Sequence, residues 1–224
     1  MRIRWTLSAA FAGILATACG GYPELVPGPG AQPAPDMRGG AMAEYAGVRM
    51  SAAGDRWTGF PRRISGEVTP ILVRLENNGT KPLAIRYQLF EFVHPDAKKF
   101  EAIPPFDIDE TVEEPVDIGY PASRFYVAPY LRGWYRYDPY WDPFYFDRSW
   151  YGTRYTVWQR IELPSADMIR MALPEGVLEP GGVVEGFVYF EHLRHDDEQA
   201  TLSLNLVTPG GENFGRIQIP FTVE

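Results

Sequence analysis

The sequence predicts an all-β fold: an antiparallel β-sandwich with one short helix and a long aromatic-rich insertion. Three observations carry that expectation. Apolar and polar residues alternate over several short runs, the period of a strand with one buried face. Pro and Gly punctuate those runs, as turns between short strands require. Little of the chain shows a helical period, and the short helix is expected only near residues 165–173, where Pro174 and Gly176 would stop it.

The folded part is expected to begin near Glu44, with a first strand over residues 45–52 that places Val48 and Met50 on one face. Residues 68–92 give the clearest signal. Ile71, Val73 and Leu75 alternate with Leu72, Arg74 and Glu76; then Leu83, Ile85, Tyr87 and Leu89 alternate with Ala84, Arg86 and Gln88. Asn77-Asn78-Gly79-Thr80 lies between them, and Asn-Gly tolerates the positive φ of a tight hairpin, so the two strands are predicted to pair. Asn78-Gly79-Thr80 is also a glycosylation sequon by form and is read here as turn chemistry. Towards the C-terminus, Pro180-Gly181-Gly182 turns into a strand over 183–190. A second strand over 201–207 points Leu202, Leu204 and Leu206 inward, Pro209-Gly210-Gly211 turns again, and Ile217, Ile219, Phe221 and Val223 mark the last strand.

The run Val68-Thr69-Pro70-Ile71-Leu72-Val73-Arg74-Leu75-Glu76-Asn77-Asn78-Gly79, followed by Pro82-Leu83-Ala84-Ile85, resembles the early hairpin of bacterial extracytoplasmic immunoglobulin-like domains. Leu178-Glu179-Pro180-Gly181-Gly182 and then Glu185-Gly186-Phe187-Val188-Tyr189-Phe190 is similar to their later proline-glycine turn and strand. The resemblance covers residues 66–93 and 173–223 and implies an immunoglobulin-like sandwich. It brings no catalytic residue, since such sandwiches host many unrelated roles. Its departure is the long interval 95–160.

The N-terminus reads as an export signal over residues 1–18. Arg2 and Arg4 form a basic head, and Leu7 to Ala18 is apolar or small except for Ser8 and Thr17, too short a run to cross a bilayer. Cys19 is the one cysteine of the chain. Ala16-Thr17-Ala18-Cys19 resembles the lipobox of bacterial lipoproteins, with Ala16 where that family usually has Leu. The resemblance implies that Cys19 is acylated, becomes the mature N-terminus and anchors the protein to a membrane of the cell envelope. Gly21, rather than an Asp just after the cysteine, points in that family to the outer membrane, with the domain in the periplasm or at the cell surface. Residues 19–43 carry Pro23, Pro27, Pro29, Pro33 and Pro35 with no apolar periodicity. They are expected to form a disordered tether reaching at most ~75 Å. The sandwich then occupies 44–224, with the insertion 95–160.

Charge excludes some partners. The formal net charge is -8, and loss of Arg2 and Arg4 with the signal makes it -10, which argues against nucleic acid. Asp107, Asp109, Glu110, Glu113, Glu114 and Asp117 fall in what reads as one solvated loop, without the spacing of an EF-hand.

Within the insertion, fifteen of the 32 aromatic residues lie between Phe125 and Trp158, interleaved with Arg132, Arg136, Arg148 and Arg154 and no Lys. The candidate binding surface is Trp134, Tyr137, Tyr140, Trp141, Tyr145 and Trp150 with Arg132 and Arg136. Such a segment suits a structural cap, a protein docking surface rich in hot-spot residue types, or a platform on which glycan rings stack. At roughly 150 Å² per ring the segment carries over ~2,000 Å², against about 300–600 Å² in the largest exposed patch of a typical monomer. Most of the rings are therefore expected to be buried, in this chain or in a partner.

Other chemistry is sparse. His192, His195, Asp196 and Asp197 offer two zinc-ligand types, but an i, i+3 pair in a hairpin loop is also the composition of a solvated turn, and no metal is assigned. His94 before Pro95 reads as a strand-end residue. There is no Gly-x-Ser-x-Gly elbow, phosphate loop or second cysteine. The expectation is a lipid-anchored, non-catalytic envelope protein without cofactor, with a structural or protein-interaction role. A glycan- or peptidoglycan-binding module is the alternative, and an envelope hydrolase a more distant one.

Overall fold

A computed structural model describes residues 25–95, 98–116, 157–193 and 199–223. The strands among them are β1 (Leu25–Pro27), β2 (Gln32–Pro33), β3 (Ala41–Tyr45), β4 (Val48–Ala53), β5 (Val68–Asn77), β6 (Leu83–Ile85), β7 (Phe90–Val93) and β8 (Lys99–Glu101). β9 (Thr111–Val116), β10 (Val157–Glu162), β11 (Gly176–Leu178), β12 (Val183–Glu191), β13 (Gln199–Val207) and β14 (Asn213–Val223) follow, with helix α1 (Ala166–Met171) before β11. The fold is all-β, and every pairing between the named strands among the described residues is antiparallel.

Two five-stranded sheets, β1-β14-β13-β7-β8 and β12-β5-β4-β3-β2, face each other, and two ribbons, β9–β10 and β6–β11, complete the pairing. Alternation decides what lies between the sheets. Ile71, Val73 and Leu75 of β5 meet Leu202, Leu204, Leu206, Ile217, Ile219 and Phe221 of β13 and β14 in one core. The Phe92 and Phe190 rings meet edge-on across that core at 4.6 Å. The leucines expected to point inward on β13 do so.

At one end of the sandwich, here the β1 end, Leu25 pairs with Val223, Gln199 with Thr222, and Val68 with Glu191. Gly54 belongs to this end as well: a Cβ on it would fall 2.5 Å from Leu25 Cβ. At the far end the β3–β4 turn uses Ala46 and Gly47, with φ of 52° and 81°, the left-handed pair of a two-residue hairpin.

The sequence expectations need correction in four places. First, residues from Leu25 on are not a disordered tether. β1 joins the sheet edge, the Gly28 N–H donates to Pro220 O at 2.9 Å, and Ala34, Met37 and Ala41 are buried. Pro27, Pro29, Pro33 and Pro35 fall on short edge strands and turns, where a missing N–H is tolerated.

Second, the 68–77 and 83–85 strands do not pair with each other. Both edges of β5 are taken, by β4 and β12. β6 instead pairs with β11, and all three of its residues are buried, so it has no polar face to turn outward. Third, the alternation does not continue through residue 89, because Tyr87–Leu89 closes a 3-10 turn before β7. Fourth, the start of the interval 95–160 belongs to the sandwich. β8 extends one sheet and the Ile103 N–H donates to Tyr189 O at 2.7 Å.

The helix forms as expected. Ser165 caps it, its Oγ accepting the Met168 N–H at 3.2 Å. It ends at Ala172, ahead of Pro174, because the next N–H, that of Leu173, donates to Phe187 O at 2.8 Å on β12.

Candidate functional site

β12 is buried on both faces. Val188 and Phe190 enter the main core, while Phe187 and Tyr189 face outward into a second one. That second core contains Ile64, Ile108, Val112, Leu163 and Met168, so α1 and the root of the β9–β10 ribbon are packed onto the outer face of the sheet. Trp57 meets Phe187 edge-on at 5.1 Å, and its indole N–H donates to Pro61 O at 2.7 Å. The buried Tyr189 hydroxyl donates to Met168 O at 2.9 Å, and burial pushes its pKa up.

The ribbon rises from this layer. Its base is closed by the Leu163 N–H donating to Glu110 O at 2.9 Å, and at its other end Val116 and Val157 lie opposite each other. The two ends of the aromatic segment are thus held side by side, one strand spacing apart.

β9 alternates as a half-buried strand should: Val112 and Glu114 are buried, Thr111 and Glu113 exposed. The Glu114 carboxylate accepts the Arg63 N–H at 3.0 Å. The Arg63 guanidinium lies 5.0 Å from the centre of the Trp158 ring, which is 49% exposed. Arg160 and Glu113, cross-strand partners, approach to 3.6 Å. Around them is an open depression of about 670 Å³ lined by Arg63, Glu67, Thr111, Glu113, Trp158 and Arg160. Two guanidiniums, two carboxylates and an indole can hold a partner by ion pairing and stacking. Of the acidic residues expected in one loop, Asp107, Asp109 and Glu110 lie in the turn region before β9 and Glu113 and Glu114 on β9 itself, where Glu114 is a structural acceptor.

Cys19 and the candidate surface residues Arg132, Trp134, Arg136, Tyr137, Tyr140, Trp141, Tyr145 and Trp150 lie outside the described residues, as do Asp117, His195, Asp196 and Asp197. His192 Nδ1 is 2.9 Å from Ser65 O, a bond that ties the end of β12 to the layer above it. His94 is buried, edge-on to Phe100 at 5.4 Å. Among the described residues no cluster of three or more His, Cys, Asp or Glu could hold a metal ion, and no helix is long and apolar enough to cross a membrane.

The role of Arg63 was not visible in the sequence. It lies 95 positions before Trp158, and only the ribbon brings them together. The same holds for a second cleft of about 690 Å³ beside β6 and β11, where Arg86, Glu101 and Glu175 converge from three separate segments. In comparison with known proteins, no family model and no curated sequence matches this chain.

Proposed function

We propose that this chain is a non-catalytic lipoprotein of the cell envelope, anchored through an acylated Cys19, whose immunoglobulin-like sandwich presents the aromatic segment to an envelope protein. The observation that carries this reading is the ribbon. A segment rich in Trp, Tyr and Arg is spliced into the fold through two paired strands that are rooted in a core of their own. Rigid mounting lowers the ordering cost of binding, and these residue types dominate protein contacts. Two facing antiparallel sheets of short strands support the immunoglobulin-like assignment. The half-exposed Trp158 beside Arg63 gives some support to a glycan platform as the second reading.

The test is crosslinking in living cells with mass-spectrometric identification. The full chain is compared with a variant in which residues 117–156 are replaced by a short Gly/Ser loop and folding is verified. One envelope protein captured by the full chain alone is the expected result. Equal capture by both would sink the docking role, and co-sedimentation of the full chain with purified peptidoglycan, lost in the variant, would favour the glycan reading.

A further inference from the structure

The anchor and the fold are separated by very little chain. β1 starts at Leu25, six residues after Cys19, so the leash spans at most about 20 Å. The domain is about 40 Å across by the usual scaling of compact chains. A body of that size on so short a leash cannot stand away from the bilayer, and its β1 end must turn towards it.

The surface chemistry of that end differs from the rest of the same sheet. Towards the far end, the outer face of β4, β5 and β12 is a lattice of ion pairs: Arg49 with Glu44 and Glu76, and Arg74 with Asp36, Glu76 and Glu185. Towards the β1 end the outer face is covered by α1 and its neighbours. Four of the seven exposed large hydrophobic residues among those described are on this layer: Phe60, Phe106, Trp158 and Ile169. The other three, Tyr45, Val177 and Val183, sit on three different strands.

Three of the four are linked through α1, and Trp158 is tied to Arg63, three residues on from Phe60. The Phe60 N–H donates to Asp167 Oδ2 at 2.8 Å and its carbonyl accepts the Ser165 hydroxyl at 2.6 Å. Ile169 is on the helix, the Pro105–Asp107 turn that carries Phe106 packs beside it, and Trp158 joins through Arg63. Phe60 is itself six residues from Gly54, which touches Leu25.

We infer that this layer is a lipid-facing surface, with Phe60, Phe106, Trp158 and Ile169 seated in the headgroup region of the bilayer that holds the anchor. The inference rests on the acylation of Cys19 proposed above. Aromatic rings with guanidinium neighbours suit the interface between headgroup and acyl chain. The layer carries both signs: Glu113 pairs with Arg160 and Asp167 with Arg170, and Arg63 lies over Trp158, a mixed surface that suits zwitterionic headgroups.

The test uses the full acylated chain in phosphatidylcholine vesicles containing a radiolabelled phospholipid. A photoreactive p-benzoylphenylalanine replaces Phe60, Phe106 or, as the far-end control, Val183. Lipid labelling at Phe60 and Phe106 about fivefold or more above that at Val183 is expected, because the leash raises the local concentration of lipid only at the β1 end. The mass of the acyl group on Cys19 is measured in the same samples. Its absence overturns the anchored reading and this inference together. Its presence with equal labelling at all three positions overturns this inference alone. In cells, capture of protein without lipid at Phe60 overturns it in favour of a protein partner.

Discussion

Two buried polar side chains hold the sandwich together at points where strands leave it. Asn77 ends β5 fully buried. Its amide donates to Lys81 O and to Leu178 O, both at 2.9 Å, and its Oδ1 accepts the Gly79 N–H at 3.1 Å. Asn77→Ala leaves two carbonyls without those donors, and a loss of about 3 kcal/mol is expected, read as a lower urea midpoint with an unchanged slope. Tyr87 does the same work by the β6–β11 ribbon. Its hydroxyl donates to Leu173 O at 2.6 Å and its N–H to Glu175 at 2.9 Å. Burial, with the nearby Glu175 charge, pushes the phenol up to about 12. An unfolded tyrosine titrates near 10, so the fold favours the neutral phenol. That contribution is complete below pH 10 and is lost as pH rises through 12. Tyr87→Phe is expected to cost about 1 kcal/mol at pH 7 and to flatten the fall of stability above pH 10, measured by urea titrations across that range. An equally steep alkaline fall in the variant would place the titration elsewhere.

At the scale of elements, the approach of Leu173 to β12 depends on Gly186. A Cβ there would fall 2.5 Å from Leu173 Cα and 2.6 Å from its nitrogen, both backbone atoms that cannot step aside. Gly186→Ala is therefore expected to cost about 2–3 kcal/mol by overpacking, and to do so by displacing the segment between α1 and β11, whose Leu173 supplies both the N–H bonded to Phe187 O and the acceptor of Tyr87. Tested together with Tyr87→Phe, it should give less than the sum of the two, because Leu173 serves both bonds, its N–H donating to Phe187 O and its carbonyl accepting from Tyr87. The elements that could be read from sequence were those with one buried and one wet face. Apolar and polar residues alternate along β5, β13 and β14, and their inward residues are the ones expected, with Ser203 of β13 buried as well. The elements that could not be read lack that contrast. β6 is buried throughout, and β1 and β2 are two or three residues of Pro-rich edge that look like linker until β14 is beside the one and β3 beside the other. The Asn-Gly stretch is a bend held by the Asn77 side chain rather than the tight hairpin expected, and Gly79 does not take a positive φ. Sequence proximity favoured β6, but the longer registers with β4 and β12 occupy both edges of β5. At the candidate site, Trp158 stood out as part of an aromatic run, whereas Arg63 and Glu114 gained their roles only from long-range packing.

For the whole molecule, the question is whether the aromatic segment holds the sandwich together or is carried by it. The described residues already close two cores, one between the sheets and one beneath α1 and the ribbon. The ribbon is terminated at its base by the Glu110–Leu163 bond and at its tip by the facing pair Val116 and Val157, a geometry that a two-residue turn can close. Replacing the forty residues 117–156 by Asn-Gly should then leave both cores intact. Shortening the connection also removes loop-closure entropy, about 0.6 kcal/mol for each halving, so a gain of about 2.6 kcal/mol is the upper bound. The expected thermal midpoint is equal to or above that of the full chain, with an unchanged near-ultraviolet signature for Trp57 in the second core. A midpoint lower by about 10 °C or more would show that the rings are part of the packing, since a shift of that size corresponds to several kcal/mol in a domain of this length. The two outcomes separate a carried contact surface from a structural cap before any partner is known. They also fix what a loss of crosslinking in the shortened variant would mean: a missing contact in the first case, a damaged domain in the second.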